Sequence, residues 1–170
     1  MNLPNSNEYN PYFGKYIALV PEGNFMDVFK KNTEQALIFF SNIPVEKHLY
    51  RYAEDKWTCK DILMHVIDTE RVMSYRALVA ARGDLTTPLA PVDENLYAKN
   101  VDVSARSMED LLEEFEIVRR SSEKLFQHMT EEQSQLLGNG VNYPISARAV
   151  GYIIQGHVLH HMNVINERYL

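Results

Sequence analysis

The chain has 170 residues, 45% apolar and 24% charged, with a formal net charge of −6, which is an ordinary globular composition and enough length for one domain with a sizeable core. That acidic balance, with Lys and Arg gathered into no stripe, excludes nucleic acid as an expected partner, because a phosphate backbone selects basic faces. No run approaches the roughly 18 apolar residues of a membrane span, the N-terminus lacks the basic-then-apolar order of a signal peptide, and a single Cys gives no disulfide framework and fits a reducing cytoplasm.

Residues 1–23 are rich in Asn, Pro, Tyr and Gly and read as an irregular arm. Its aromatics (Tyr9, Tyr12, Phe13, Tyr16) predict that it packs on the body of the protein or on a second subunit, since a free tail would be poorer in them. Asn24 to Asn42 reads as a first helix, with Phe25, Val28, Phe29, Ala36, Leu37 and Phe40 recurring at three and four and Pro44 beyond its end. Pro44 to Asp55 is a polar, tyrosine-rich connector with a short turn of helix. Trp57 to Asp61 opens a second helix, where Thr58 with Asp61 three residues on resembles a capping box. This helix runs to Arg82, and Gly83 supplies the left-handed residue that ends it. Ile62, His65, Thr69, Val72, Arg76 and Val79 share one stripe and Leu63, Ile67 and Leu78 lie on the far side, so the helix is either central or shared with a partner subunit.

Asp84 to Val103 is the longest stretch without a full helical period, rigidified by Pro88 and Pro91, with one short helix expected over Asp93 to Lys99. A loop of this length in a compact domain often covers a site or an interface. Ser107 caps a third helix reaching Met129, whose stripe is Leu111, Leu112, Phe115, Val118, Leu125 and Phe126. Gly138-Asn139-Gly140 breaks the chain, and Ile145 to Leu170 forms the last helix with Ser146 as its N-cap. No segment has strand periodicity. The expected fold is an all-α four-helix bundle, residues 1–170 as one domain, with a long 84–106 crossover between the second and third helices and a topology that is not simply up and down.

In the last helix, Val150, Ile153, His157, His161 and Val164 fall within roughly 40° of one line at 100° per residue, while Gln155, Asn163 and Asn166 fall opposite. Two histidines one turn apart therefore sit at the centre of an apolar stripe. They are either core residues, each bonded to a backbone group, or a pair that grips one metal ion, since i and i+4 imidazoles stack on one face. HxxxH alone is weak and lacks the Glu of HExxH. His65, on the core stripe near the middle of the second helix, supplies a third imidazole if the two helices are neighbours. Three protein ligands with open positions describe a catalytic centre, whereas structural zinc sites are closed by four.

WTCKDILMHVIDTERVMSYRALVAARGD, PVDENLYAKN and ISARAVGYIIQGHVLHHMNVINERYL together resemble the DinB-like (YfiT-like) superfamily of small bacterial four-helix-bundle metalloproteins. The resemblance spans Asn24 to Leu170 and is most specific in HVIDTERV, ARGD and GHVLHHMNVINERYL. It implies a divalent cation (zinc, nickel or iron by ligand type) held by a histidine of the second helix and the HxxxH pair of the last, which map onto His65, His157 and His161. Between Pro88 and Glu94 the chain reads PLAPVDE where the family pattern has Gly before an aromatic, so the loop's conformation is expected to differ. The resemblance also implies a metal-dependent enzyme acting on a small molecule, of thiol-dependent transferase or hydrolase type and using a low-molecular-weight thiol. The alternative is a non-catalytic, stress-related protein whose metal only ties helices together. A cytoplasmic homodimer is expected.

Other residues carry two readings each. Asp68 is a candidate acceptor for a ligating histidine's N–H, and Thr69 either bonds a metal-bound water or its own backbone. Arg76 either clamps an anionic substrate or pairs with Asp93 or Glu94. His160, 60° from His157, flanks the pair or lies at an interface, and Glu70 and Arg71 point away from the metal stripe. His48 and His128 are expected to be solvated. Cys59 reads as a half-buried structural thiol rather than a nucleophile, and Trp57 as a hydrophobic staple before the cap.

Overall fold

A computed structural model describes all 170 residues. In chain order the elements are α1 (Gly14–Ile17), α2 (Phe25–Ser41), α3 (Cys59–Ala81), α4 (Glu94–Asn100), α5 (Met108–Gln127), α6 (Glu131–Gln135), a hairpin of β1 (Leu137–Gly140) and β2 (Tyr143–Ser146), and α7 (Ala147–Arg168). The helix starts follow from local chemistry. Asn24, Thr58, Ser107 and Ser146 each accept a backbone N–H of the first turn, and Thr58 with Asp61 closes a reciprocal capping box. These caps satisfy donors that an open helix end leaves exposed. Gly83, at φ 67°, ends α3 in the left-handed conformation that a side chain resists.

The four long helices form a bundle in which α3 lies between α5 and α7, and α2 faces it from between the same two. Glu70 meets Arg119 and Ser74 meets Ser122, so α3 and α5 run parallel. Tyr169 Oη donates to the Trp57 carbonyl and His65 touches His157, so α7 runs antiparallel to α3. Two parallel neighbours require the chain to return the length of the bundle, roughly 30 Å for the 20 residues of α5. The long connection after α3 does this, and the bundle is not simply up and down. No helix is long and apolar enough to cross a membrane.

The core is in two parts. One is built on Phe40, Leu63, Ile67, Leu111, Phe115 and Ile165, the other on Phe25, Phe29, Ala77, Phe126, Val150 and Ile153. Between them each long helix contributes a buried polar side chain: Asn32, Glu70, Arg119 and Gln155. Arg119 Nε is 2.8 Å from Glu70 Oε2 but is not aligned for a hydrogen bond, so the attraction is that of an ion pair. The guanidinium lies 4.9 Å from the Phe29 ring centre and 5.2 Å from that of Phe115. The sequence reading sent Glu70 away from the metal stripe, and it does point away, into the core.

Three expectations change. The segment after α5 is not a plain break: it holds α6 and a two-stranded hairpin turning at Val141 and Asn142, the latter at φ 60°. Strands of four residues that include Gly138 and Gly140 carry no alternation strong enough to read. Gln155 is not on a solvated face, because α7 has α3, α2 and the arm around it and is buried throughout Ala147–Val158. His48 is half-buried, with Nε2 3.0 Å from the Ile43 carbonyl oxygen, although His128 is exposed as expected.

The arm packs on the bundle and contains a 3₁₀ turn at Pro11–Phe13 followed by α1. Its first anchor is Glu8, which accepts 2.7 Å bonds from Ser146 Oγ and Arg148 Nε and a further bond from Arg148 Nη2. Burial works to raise the Glu8 pKa, but the Arg148 and Ser146 hydrogen bonds outweigh it and hold the carboxyl at about 2. A carboxylate with a depressed folded pKa stabilises the fold above its ordinary value of 4.5, and that contribution is lost as pH falls toward about 2. Glu8→Gln is therefore expected to melt below wild type at pH 7, with the gap closing as pH falls from 4.5 to 2. Thermal melts across that range check it, and a gap that stays constant would count against the ion pair. The second anchor is Tyr16: a Cβ on Gly156 would lie 1.9 Å from the Tyr16 carbonyl oxygen, so only glycine lets the arm's backbone approach α7 this closely.

Candidate metal centre

Because α3 and α7 run antiparallel in contact, the His65 turn faces the middle of α7, and the i, i+4 spacing points His157 and His161 at it together. His65 Nε2 and His161 Nε2 lie 3.1 and 3.0 Å from His157 Nε2, and one ligand atom from each of the three rings lies within 4.8 Å of the other two. One N–H on His157 can satisfy only one of its two nitrogen neighbours. Nitrogen donors about 2.0–2.1 Å from a common cation are themselves about 3 Å or slightly more apart, so the donor set fits a divalent metal ion better than it fits three self-bonded imidazoles.

The electrostatics agree. Burial lowers the His65 pKa to about 4, with His160 adding to the effect. Burial and then His65 lower His161 to about 3, and burial and then His161 push His157 well below its ordinary value. All three rings are neutral at pH 7 and offer lone pairs without first losing a proton. Thr69 Oγ1 lies 3.5 Å from His65 Nδ1 and can orient that ring. The buried Nδ1 of His161 meets no partner in the chain.

The triad forms one wall of a cleft of about 270 Å³ that Tyr12, Lys15, Tyr16, Trp57, Thr69 and Glu94 also line. The Trp57 ring is 4.7 Å from that of His65. Tyr16 meets His157 edge-on at 5.4 Å and His160 at 5.3 Å. Lys15 Nζ sits 4.0 Å from the Tyr12 ring centre, and Glu94 is the only carboxylate among the lining residues.

The remaining sequence candidates separate. His160 borders the cleft but stands outside the triad. Asp68 pairs with Arg71 at 3.4 Å and borders a crevice beside His65 and Thr69 without bonding a triad histidine. Arg76 pairs with neither Asp93 nor Glu94: its Nη2 donates to the Ala90 carbonyl at 2.9 Å and its Nη1 to Met73 Sδ at 3.6 Å. Asp93 is instead occupied as the cap of α4. Cys59 is fully buried, and burial raises its thiol to about 11, as befits a structural residue. Sequence reading missed Tyr16, Lys15 and Glu94 as cleft residues and gave Trp57 only a capping role. The aromatic density of the arm was the one available pointer.

The sequence profile of the DinB superfamily matches residues 29–165. Among solved structures, YfiT from Bacillus subtilis, described as a probable metal-dependent hydrolase with an unusual four-helix bundle topology, is similar at a TM-score of 0.70 and 16% identity, over 96% of this chain and 89% of that one. No curated protein matches.

Proposed function

The chain belongs to the DinB superfamily, and from that premise we propose that it holds one divalent metal ion on His65, His157 and His161 and uses it on a small molecule, as a hydrolase or a thiol-dependent transferase. The observation that carries this reading is the convergence of three neutral imidazoles on the wall of an accessible cleft. Three ligands facing a cleft leave positions for water, thiol or substrate, which a closed structural site does not. The name given to YfiT supports the hydrolase form of the reading. Imidazole donors suit zinc, nickel and iron alike.

A divalent cation held by His65, His157 and His161 would supply Lewis acidity toward a water or thiol in the cleft. The surrounding residues have complementary tasks. Trp57 and Tyr16 pack against His65 and His157, restraining the rings and excluding water from two sides. Glu94 offers a carboxylate to take the proton that the nucleophile gives up, and Lys15 places positive charge where a leaving or transferred anion would form.

The test is a panel of hydrolysis and thiol-conjugation reactions run with metal-loaded and metal-stripped wild type. Turnover confined to the loaded protein is the expected result. Equal turnover in both forms would overturn the enzymatic reading, and a metal that raises thermal stability without turnover on any substrate would leave the cation a structural tie between α3 and α7.

A further inference from the structure

Arg76 is half-buried on α3, and neither of its contacts is a carboxylate: one is a backbone carbonyl and one a thioether. Of its five N–H donors these use two. The guanidinium borders a cavity of about 170 Å³ whose other walls are mostly apolar or aromatic, with Asn10, Tyr12 and Phe13 from the arm and Val141, Tyr143 and Pro144 from the hairpin. Tyr12 and Phe13 also line the metal cleft, and so does Met73, whose sulfur Arg76 contacts. The two spaces therefore adjoin across these three side chains.

A mostly apolar cavity with one cation and one neutral amide, that of Asn10, at its wall, and no carboxylate to neutralise the cation, matches one ligand chemistry. A carboxylate accepts two parallel bonds from a guanidinium fork, and these strengthen where water is scarce. A phosphate dianion would call for more donors than one arginine supplies. We propose that Arg76 is the anion-recognising residue of a substrate subsite that takes a small apolar monocarboxylate, with its body between the arm and the hairpin and its far end toward the metal cleft. The orientation rests on the proposed function above, while the subsite itself stands on Arg76 and its cavity.

The test is titration of benzoate into zinc-loaded and into metal-stripped wild type, read by calorimetry and by the Arg76 Nε–Hε resonance in arginine-labelled protein, with neutral benzamide and inorganic phosphate as comparators. The expected result is saturable one-site benzoate binding in both forms with a shift of the Arg76 resonance. Benzamide and phosphate should each bind at least about ten-fold more weakly, the size of the lost charge-assisted hydrogen bonds. Arg76→Met should weaken benzoate by a similar factor while leaving benzamide affinity unchanged. If that variant does not fold because the Ala90 contact is lost, the resonance shift in wild type and the benzoate-to-benzamide ratio still decide. Benzoate binding only to the zinc-loaded form, binding that leaves the Arg76 resonance unmoved, equal affinity for benzamide, or no benzoate binding would each overturn the proposal. Failure of zinc to bind while benzoate still does would sink the metal reading alone.

Discussion

Replacing His157 and His161 together by alanine is expected to abolish metal binding. Tag-free wild type should purify or reconstitute with about one divalent ion per chain and the double variant with none, as measured by elemental analysis. The effect is large because the two residues supply two of three donors, and because their nitrogens, 3.0 Å apart, are placed by one turn of one helix. A ligand that binds only the folded state stabilises it by about 2.7 kcal/mol at a hundred times its dissociation constant. In a chain of this size that amounts to about 5–10 °C in the melting midpoint, which zinc should confer on wild type and not on the variant. Stripped of metal, the variant should melt as one transition close to stripped wild type, less the cost of the deleted rings. A full complement of metal in the variant would place the ion elsewhere, and no metal in either protein after reconstitution would leave three core histidines and a shared fold.

Gly156→Ala is expected to cost about 3–6 kcal/mol or to release the arm, although alanine is ordinarily the better helix former by about 1 kcal/mol. The added methyl cannot share space with the Tyr16 carbonyl, and the obstacle is backbone on both sides, so no rotamer change relieves it. The arm must then lift from α7, exposing Tyr16 and Ile17, both now under 10% exposed, and buried side chains of this size contribute about 1.5–3 kcal/mol each. Tyr16 also walls the cleft against His157. Protease sensitivity around residues 10–20 should therefore rise together with the loss of stability, and zinc affinity should fall less than in the histidine double variant, since the triad itself lies on α3 and α7. A variant as stable and protease-resistant as wild type would show that the arm does not depend on this approach.

Much of this protein is legible locally. The caps at Thr58, Ser107 and Ser146, the end of α3 at Gly83 and the stripe that selects His65, His157 and His161 all depend on residues within a few positions of one another, where the 3.6-residue period acts directly. Element ends lie within two residues of their expected places for the same reason. The stripe also carries a chemical anomaly that a core seldom tolerates, two imidazoles stacked in an apolar seam, and this marked the pair as a candidate site before any neighbour was known.

The rest was decided by contacts between residues far apart in the chain. The arm's attachment joins Glu8 to Ser146 and Arg148 across about 140 positions, and its pairing with Gly156 leaves no mark on the arm beyond its aromatics. The wheel turned Glu70 away from the metal stripe but could not name Arg119 as what it meets, because each is unremarkable on its own helix. Only the parallel placement of α3 and α5 buries them together, since an isolated charge would not be buried without its partner. Arg76 followed the opposite course: of its two readings, an anion clamp or a pair with Asp93 or Glu94, the pair is absent, its contacts being the Ala90 carbonyl and Met73 Sδ while Asp93 caps α4. Periodicity determined which residues face inward together on a helix; what each then meets depended on how long-range packing arranged the helices, the arm and the hairpin around them.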